Sequence, residues 1–325
     1  MLRDSRANEW GSPVADKSAG ERPDERLEDQ QIGAVTVLYG AGRGKYPHGN
    51  SLLVRGARET LAIDPSLGVV ARKGSLPRVD RVWNSHCHED HIAGNHLFPD
   101  APWELHEADL LGLHSFAGFL QIYGYDDTVI GAGWEQALKE RFFYTANPRA
   151  TGFRDGHELE LGGGVRVRVI HTPGHTRGHC AFHVVPDDVL YIGDIDLSSF
   201  GPYYGDAWSD LDDFERSLKA VRGISAKHYA TFHHIGVVDR ETFLGRLDKF
   251  EAVIASREQR LLAYLAEAPR TLDEIVKHRF VYRPSDPVSF ADPVERRSME
   301  QHLVRLVAGG RAREISPGRF EARVV

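Results

Sequence analysis

Asn84-Ser85-His86-Cys87-His88-Glu89-Asp90-His91-Ile92-Ala93-Gly94-Asn95 is the stretch whose reading decides the fold. His86, His88, Asp90 and His91 put four candidate metal ligands into six residues, spaced H-x-H-x-D-H. The preceding run from Arg78 to Trp83 alternates polar and apolar residues, the pattern of a strand. The following run from Ile92 to Phe98, before Pro99, predicts a short helix. The motif therefore falls on a strand-to-helix turn. In an extended segment alternate residues share a side, so His86 and His88 point the same way. Asp90 and His91 open the helix and face a second point nearby. One turn can thus serve two adjacent cations. Cys87, between two candidate ligands, points the other way and is expected to pack in the core.

Four more pieces follow outward from this turn. Asp64 ends the apolar run Leu61-Ala62-Ile63. Thr172-Pro173-Gly174-His175-Thr176 follows the alternating run Val165–Ile170, and its Pro-Gly corner presents His175 at a sheet edge. Asp194 closes Tyr191-Ile192-Gly193, with Asp196 as a nearby competitor. The run Lys227–Phe232 ends in His233-His234. In this order the motifs resemble those of the metallo-β-lactamase superfamily, over about residues 32–238. The resemblance implies a four-layer αββα sandwich of the α/β class. It also implies two divalent ions, zinc first, with iron or manganese as alternatives for imidazole and carboxylate donors. His86, His88 and His175 are the implied ligands of one ion. Asp90, His91 and His233 or His234 are those of the other, with Asp194 bridging. The family's usual Pro-Gly-His-Gly is absent at the last position, and His234 is favoured because Val237 and Val238 then fall where the family carries aliphatics. His171 is set aside for His175, and His179 is read as a support for the turn.

The composition is that of an ordinary globular chain: 325 residues, 41% hydrophobic, 27% charged, formal net charge −7. That balance offers no overall polyanion-binding surface. No apolar run reaches the roughly 18 residues that cross a bilayer. Two cysteines make no disulfide framework, and a cytoplasmic setting is expected. Residues 1–30, with five basic and eight acidic side chains, are expected to form a disordered or loosely attached tail. Residues 31–255 form the expected catalytic domain. An insertion at about 107–150 carries the aromatic run Phe116–Tyr125 and a helix from Trp134, read either as a wall over the site or as added packing. Gly40-Ala41-Gly42-Arg43-Gly44 lacks the Lys-Ser and the helix of a phosphate loop and is read as a turn.

Residues 256–325 read as helices with a capping box at Thr271 and Glu274, then a two-stranded wing after Gly309-Gly310. This resembles a winged-helix domain, as in one branch of the superfamily that includes an endoribonuclease. Its 13 basic and 10 acidic residues give too small an excess to favour nucleic-acid binding.

The resemblance implies hydrolysis by a hydroxide activated between two ions, with Asp90 orienting it and helping to protonate the leaving group. An ester, thioester or lactone with an apolar portion is the expected substrate. An endoribonuclease or phosphodiesterase is the alternative, and a ligand-sensing DNA-binding regulator a third reading. A homodimer is an open expectation.

Overall fold

The computed structural model describes residues 27–125, 129–286, 288 and 290–323. Most of the expected tail, residues 1–26, lies outside them. The few tail residues that are described are tied down: Asp29 accepts hydrogen bonds from Arg72 and the Tyr39 amide, and Gln30 begins the first strand.

Two sheets carry the fold. The first runs in chain order: β1 (Gln30–Ile32), β2 (Val35–Leu38), β3 (Ser51–Arg55), β4 (Thr60–Ile63), β5 (Arg81–Trp83), β6 (Trp103–His106) and β7 (Thr151–Phe153). It is antiparallel as far as β4 and parallel from β4 to β7. The second contains β8 (Glu158–Gly162), β9 (Val165–His171), β10 (Cys180–Val185), β11 (Val189–Tyr191), β12 (His228–Ala230) and β13 (Val237–Val238), ordered 13-12-11-10-9-8.

Side-chain alternation along the strands makes the layers. Leu52 and Val54 on β3, Leu61 and Ile63 on β4, Phe182 and Val184 on β10, and Val189 and Tyr191 on β11 meet in one core between the sheets. Their neighbours Leu53 and Ala62 face outward onto Val69. Ala181 and Leu190 face the other way, onto Phe214, Leu218, Phe243 and Leu247 of two helices, Leu211–Gly223 and Arg240–Glu267. Period-2 alternation with both faces apolar requires cover on both sides, which is the αββα arrangement. Each large side chain so buried contributes about 1.5–3 kcal/mol.

The strand directions bring one set of strand ends together. β4 and β5 are parallel, so Asp64 and the His86 turn leave the sheet at the same end. β9 and β11 both run opposite to β10, and β12 is parallel to β11. The segments holding His175, Asp194 and His233 therefore leave the second sheet at a common end.

The helix Arg240–Glu267 continues past residue 255, where a domain boundary was expected. Its buried residues change partners there. Phe243 to Ile254 belong to the sandwich, while Leu261 and Leu265 join a separate core with Ile275, Met299, Leu303 and Leu306. Thr271 forms the expected capping box with Glu274. The last two strands, β15 (Ala312–Ser316) and β16 (Arg319–Ala322), pair antiparallel, and the short β14 (Arg270–Thr271) adds a third strand on the far edge of β16.

Candidate active site

The H-x-H-x-D-H turn folds as its spacing predicts. β5 ends at Trp83, His88 is extended at the N-cap, and Glu89–Ile92 form one helical turn. Two buried sets of donor atoms result. His86, His88, His175 and Asp194 form one, and Asp90, His91 and His233 the other; within each set the donor atoms lie within 4.8 Å of one another. In the first, His175 Nε2 stands 3.2 Å from His86 Nε2, 3.0 Å from His88 Nδ1 and 3.2 Å from Asp194 Oδ2. In the second, His233 Nε2 stands 3.1 Å from Asp90 Oδ2. Asp194 spans both: its other oxygen, Oδ1, is 2.9 Å from His91 Nε2 and 3.9 Å from His233 Nε2.

His234, the favoured candidate, is corrected by this geometry: His233 converges with Asp90 and His91, and His234 joins neither set. The physical reason is local. His234 adopts a left-handed backbone conformation, φ 59°, which turns two adjacent side chains apart. His234 lines the groove beside the site instead. Asp196 is also outside both sets; its carboxylate accepts the Ser198 amide. His171 stacks on His106 at 4.0 Å, away from the cluster.

Each converging histidine is held from behind, which fixes the ring and which nitrogen faces inward. His88 Nε2 lies 2.9 Å from Asp206, and His91 Nδ1 lies 2.9 Å from Asp64. His175 Nδ1 donates to the Tyr203 carbonyl and His233 Nδ1 to the Gly44 carbonyl. Ser85 Oγ sits 3.0 Å from His86 Nδ1 and donates to Asp64, which also receives the Tyr191 hydroxyl. His179 supports the Thr172 turn, as expected, and its Nε2 also accepts the Asp194 amide. Two glycines permit these approaches. A side chain at Gly174 would strike the Phe214 backbone, and one at Gly44 would strike the Phe232 carbonyl.

The electrostatics call for positive charge. Burial opposes a charge on His91, but Asp194, Asp64 and Asp90 outweigh it and hold its pKa well above the usual range. For His233, burial is likewise outweighed by Asp194 and Asp90, and the pKa rises to about 9. His86, with burial and three neighbouring imidazoles against it, falls well below the normal value. Burial is also the main cause for His179, which falls to about 3. His91 Nε2, Asp90 Oδ2 and Asp194 Oδ1 are buried without a hydrogen bond among the described residues. Convergent imidazole and carboxylate atoms, unsatisfied and favouring cations, fit a two-ion site.

Above this floor lies a groove of about 920 Å³ up to its open mouth. Its walls include Tyr46, Tyr123, Tyr125, Trp134, Tyr203 and Phe290. The aromatic insertion packs Phe119, Tyr123, Tyr125 and Trp134 into the core between the sheets, and the last three also line the groove. Glu89, unassigned from sequence, is buried here and receives hydroxyls from Tyr46, at 2.8 Å, and Tyr123. Burial first, and Asp90 second, raise its pKa. Its adjacency to Asp90 in the helical turn was the available signal. Asp206 and the Tyr282–Phe290 wall belong to no motif and had none.

Residues 46–234 match the metallo-beta-lactamase superfamily, and the chain belongs to it as a metal-dependent hydrolase. A hydroxyacylglutathione hydrolase of Methylococcus capsulatus is 25% identical over 70% of this chain and 78% of its own length. Acyl-coenzyme A thioesterase MBLAC2 of Bos taurus is 26% identical over 56% of this chain and 74% of its own. Among solved structures, the metallo-beta-lactamase family protein TTHA1429 from Thermus thermophilus superposes with a TM-score of 0.65 at 25% identity. That superposition covers 89% of this chain and 99% of the other. Among the described residues no helix is long and apolar enough to cross a membrane.

Proposed function

We propose that this protein hydrolyses thioesters, or closely related esters and lactones, whose acyl part is apolar. The observation that carries the reading is the pair of His/Asp sets sharing Asp194 beneath an aromatic groove. Similar proteins named as a hydroxyacylglutathione hydrolase and as an acyl-coenzyme A thioesterase support the bond type. In this reading His86, His88 and His175 would hold one ion, and Asp90, His91 and His233 the other, with Asp194 within reach of both sets. Zinc is the first expectation for that donor set, and iron or manganese remain compatible with it. The ions, when bound, would supply Lewis-acid polarisation of the carbonyl and a more acidic water.

The chain's own groups do the rest. The groove's aromatic wall receives the acyl chain and excludes water from it. Asp90, at the floor beside the open groove, orients the attacking water and takes its proton. The proton then passes to the leaving sulfur as the carbon–sulfur bond breaks. His88 and His91 are kept in one orientation by Asp206 and Asp64, so the floor needs little rearrangement during turnover. The last part of the chain, from about residue 256, is proposed as a winged-helix-like unit. Its order of helix, β14, two helices, then β15 and β16 supports that description. We assign it a packing and wall-forming role, since Tyr282 and Phe290 line the groove.

The test is hydrolysis by zinc-, iron- and manganese-loaded protein across acyl thioesters of coenzyme A and glutathione, lactones, simple esters and RNA. Turnover of thioesters above all others is expected. Metal-saturated protein that leaves every acyl substrate intact overturns the reading, and RNA cleavage alone replaces it.

A further inference from the structure

A second cleft of about 810 Å³ adjoins the groove, and the two share Phe200, Tyr282 and His234. Its lining differs in kind. Arg257, Arg260 and Arg283 surround it, from the long helix and from the segment that follows the capped helix. Arg257 is buried and donates to the Pro202 and Phe200 carbonyls at 2.5 and 2.9 Å. Its guanidinium also stands 5.3 Å from the Tyr204 ring. Arg260 donates to the Phe280 carbonyl and lies 5.7 Å over the Phe280 ring. Neutral acceptors and ring faces orient these cations without cancelling their charge. Among the described residues none of the three has a carboxylate at ion-pair distance. Two acids of the neighbouring segments accept backbone amides there. Glu295 receives the amides of Phe280, Val281 and Tyr282, and Asp286 receives the Arg283 amide. Arg260 and Arg283 are exposed at the rim.

We propose that this arginine cleft is an anion subsite that holds a phosphate or carboxylate on the thiol half of the substrate. The proposal rests on the thioester reading and adds the chemical class of the carrier. The aromatic groove would take the acyl chain, the strand-end cluster the thioester carbon, and the cleft across the Phe200–Tyr282 wall the charged end of the leaving thiol. The arrangement gives selectivity for charged carriers without any change in the hydrolytic floor. Guanidinium groups suit either anion, through paired N–H donors, so the carrier's anion is left to the test.

The test combines binding with kinetics. Free coenzyme A, glutathione and the uncharged thiol N-acetylcysteamine are titrated against the metal-loaded full chain and its Arg260→Gln/Arg283→Gln variant. One charged thiol is expected to bind wild type at least about tenfold more tightly than the uncharged one. The variant should lose that margin, and about 0.5 M salt should shrink it. In parallel, the ratio of kcat/KM for the charged over the uncharged thioester of one acyl chain should fall about tenfold or more. Arg283→Lys, which keeps the charge, should restore most of the ratio when paired with wild-type Arg260. A larger loss with coenzyme A marks phosphate as the anion, and with glutathione carboxylate. Equal binding of charged and uncharged thiols by wild type, or an unchanged ratio in the variant, overturns the proposal. Charged-thiol binding with no thioester turnover would retain the subsite and reject the thioester reading, so the two failures are separable.

Discussion

The floor of the groove and the wall above it are built on opposite plans. The floor is polar, comes from the ends of neighbouring strands, and has its rings braced from behind by carboxylates and backbone carbonyls. The wall is aromatic and is gathered from segments as distant as Tyr46, Tyr123, Tyr203 and Phe290. Strand ends in register fix donor atoms to within tenths of an ångström, as bond-forming chemistry needs. Packed rings set a shape and are free to vary without touching the donors. The difference teaches that reaction type and substrate choice are separable in this molecule, and each can be perturbed alone.

The largest effect should come from the shared carboxylate. Asp194→Ala removes the carboxylate that reaches both donor sets, and a fall in kcat of about a thousandfold or more is expected. Metal content by elemental analysis should drop with it. Retention of two ions and near-normal turnover would break the assigned role of the floor. One step back, Asp206→Ala leaves His88 in place but unsupported. A loss of about 10–100-fold in metal affinity is expected by chelator competition. An unchanged affinity would mean that packing alone orients the ring.

The wall should respond differently. Phe290→Ala opens the groove's wall without removing a donor, so KM for a long acyl chain should rise several-fold while kcat for a short one holds. An equal fall in kcat for all chain lengths would show that wall and floor are not separable. Further away, Thr271→Ala removes a helix cap in the last core. A loss of about 1 kcal/mol of stability is expected by denaturant titration, with metal affinity untouched.

The last effect, absent at neutral pH, is a titration outside the cluster. Burial first, and the stacked His171 second, lower the His106 pKa to about 4. The unfolded chain binds this proton near pH ~6.5 and the folded one does not. Stability from this group is therefore present above about pH 6.5 and declines as pH falls towards about 4, with no further loss below. His106→Gln should flatten that part of the stability profile. An NMR titration placing His106 near its ordinary value, about 6.5, would remove the effect.

Sequence and structure divide along the same line as floor and wall. The histidines and aspartates of the floor were legible from the order of their motifs, which resembles that of the superfamily, and short spacings on extended chain added where some side chains point. H-x-H puts His86 and His88 on one side, Pro-Gly turns His175 inward, and Gly-Asp follows β11 with Asp194. Of the two candidates left open at the last position, His234 was favoured and His233 converges, and His234 has a left-handed backbone. No periodicity signals such a φ in a non-glycine residue. Asp206, the wall residues Tyr282 and Phe290, and the arginine cleft were beyond reach for another reason. Their meaning is a distance to something remote in sequence, as with Asp206 and His88, and only the closed fold creates that distance. The order of residues along the chain thus determined the layers and the donor atoms, through local geometry and alternation. Tertiary packing alone decided which carboxylate braces which ring, and what lines the space a substrate must enter.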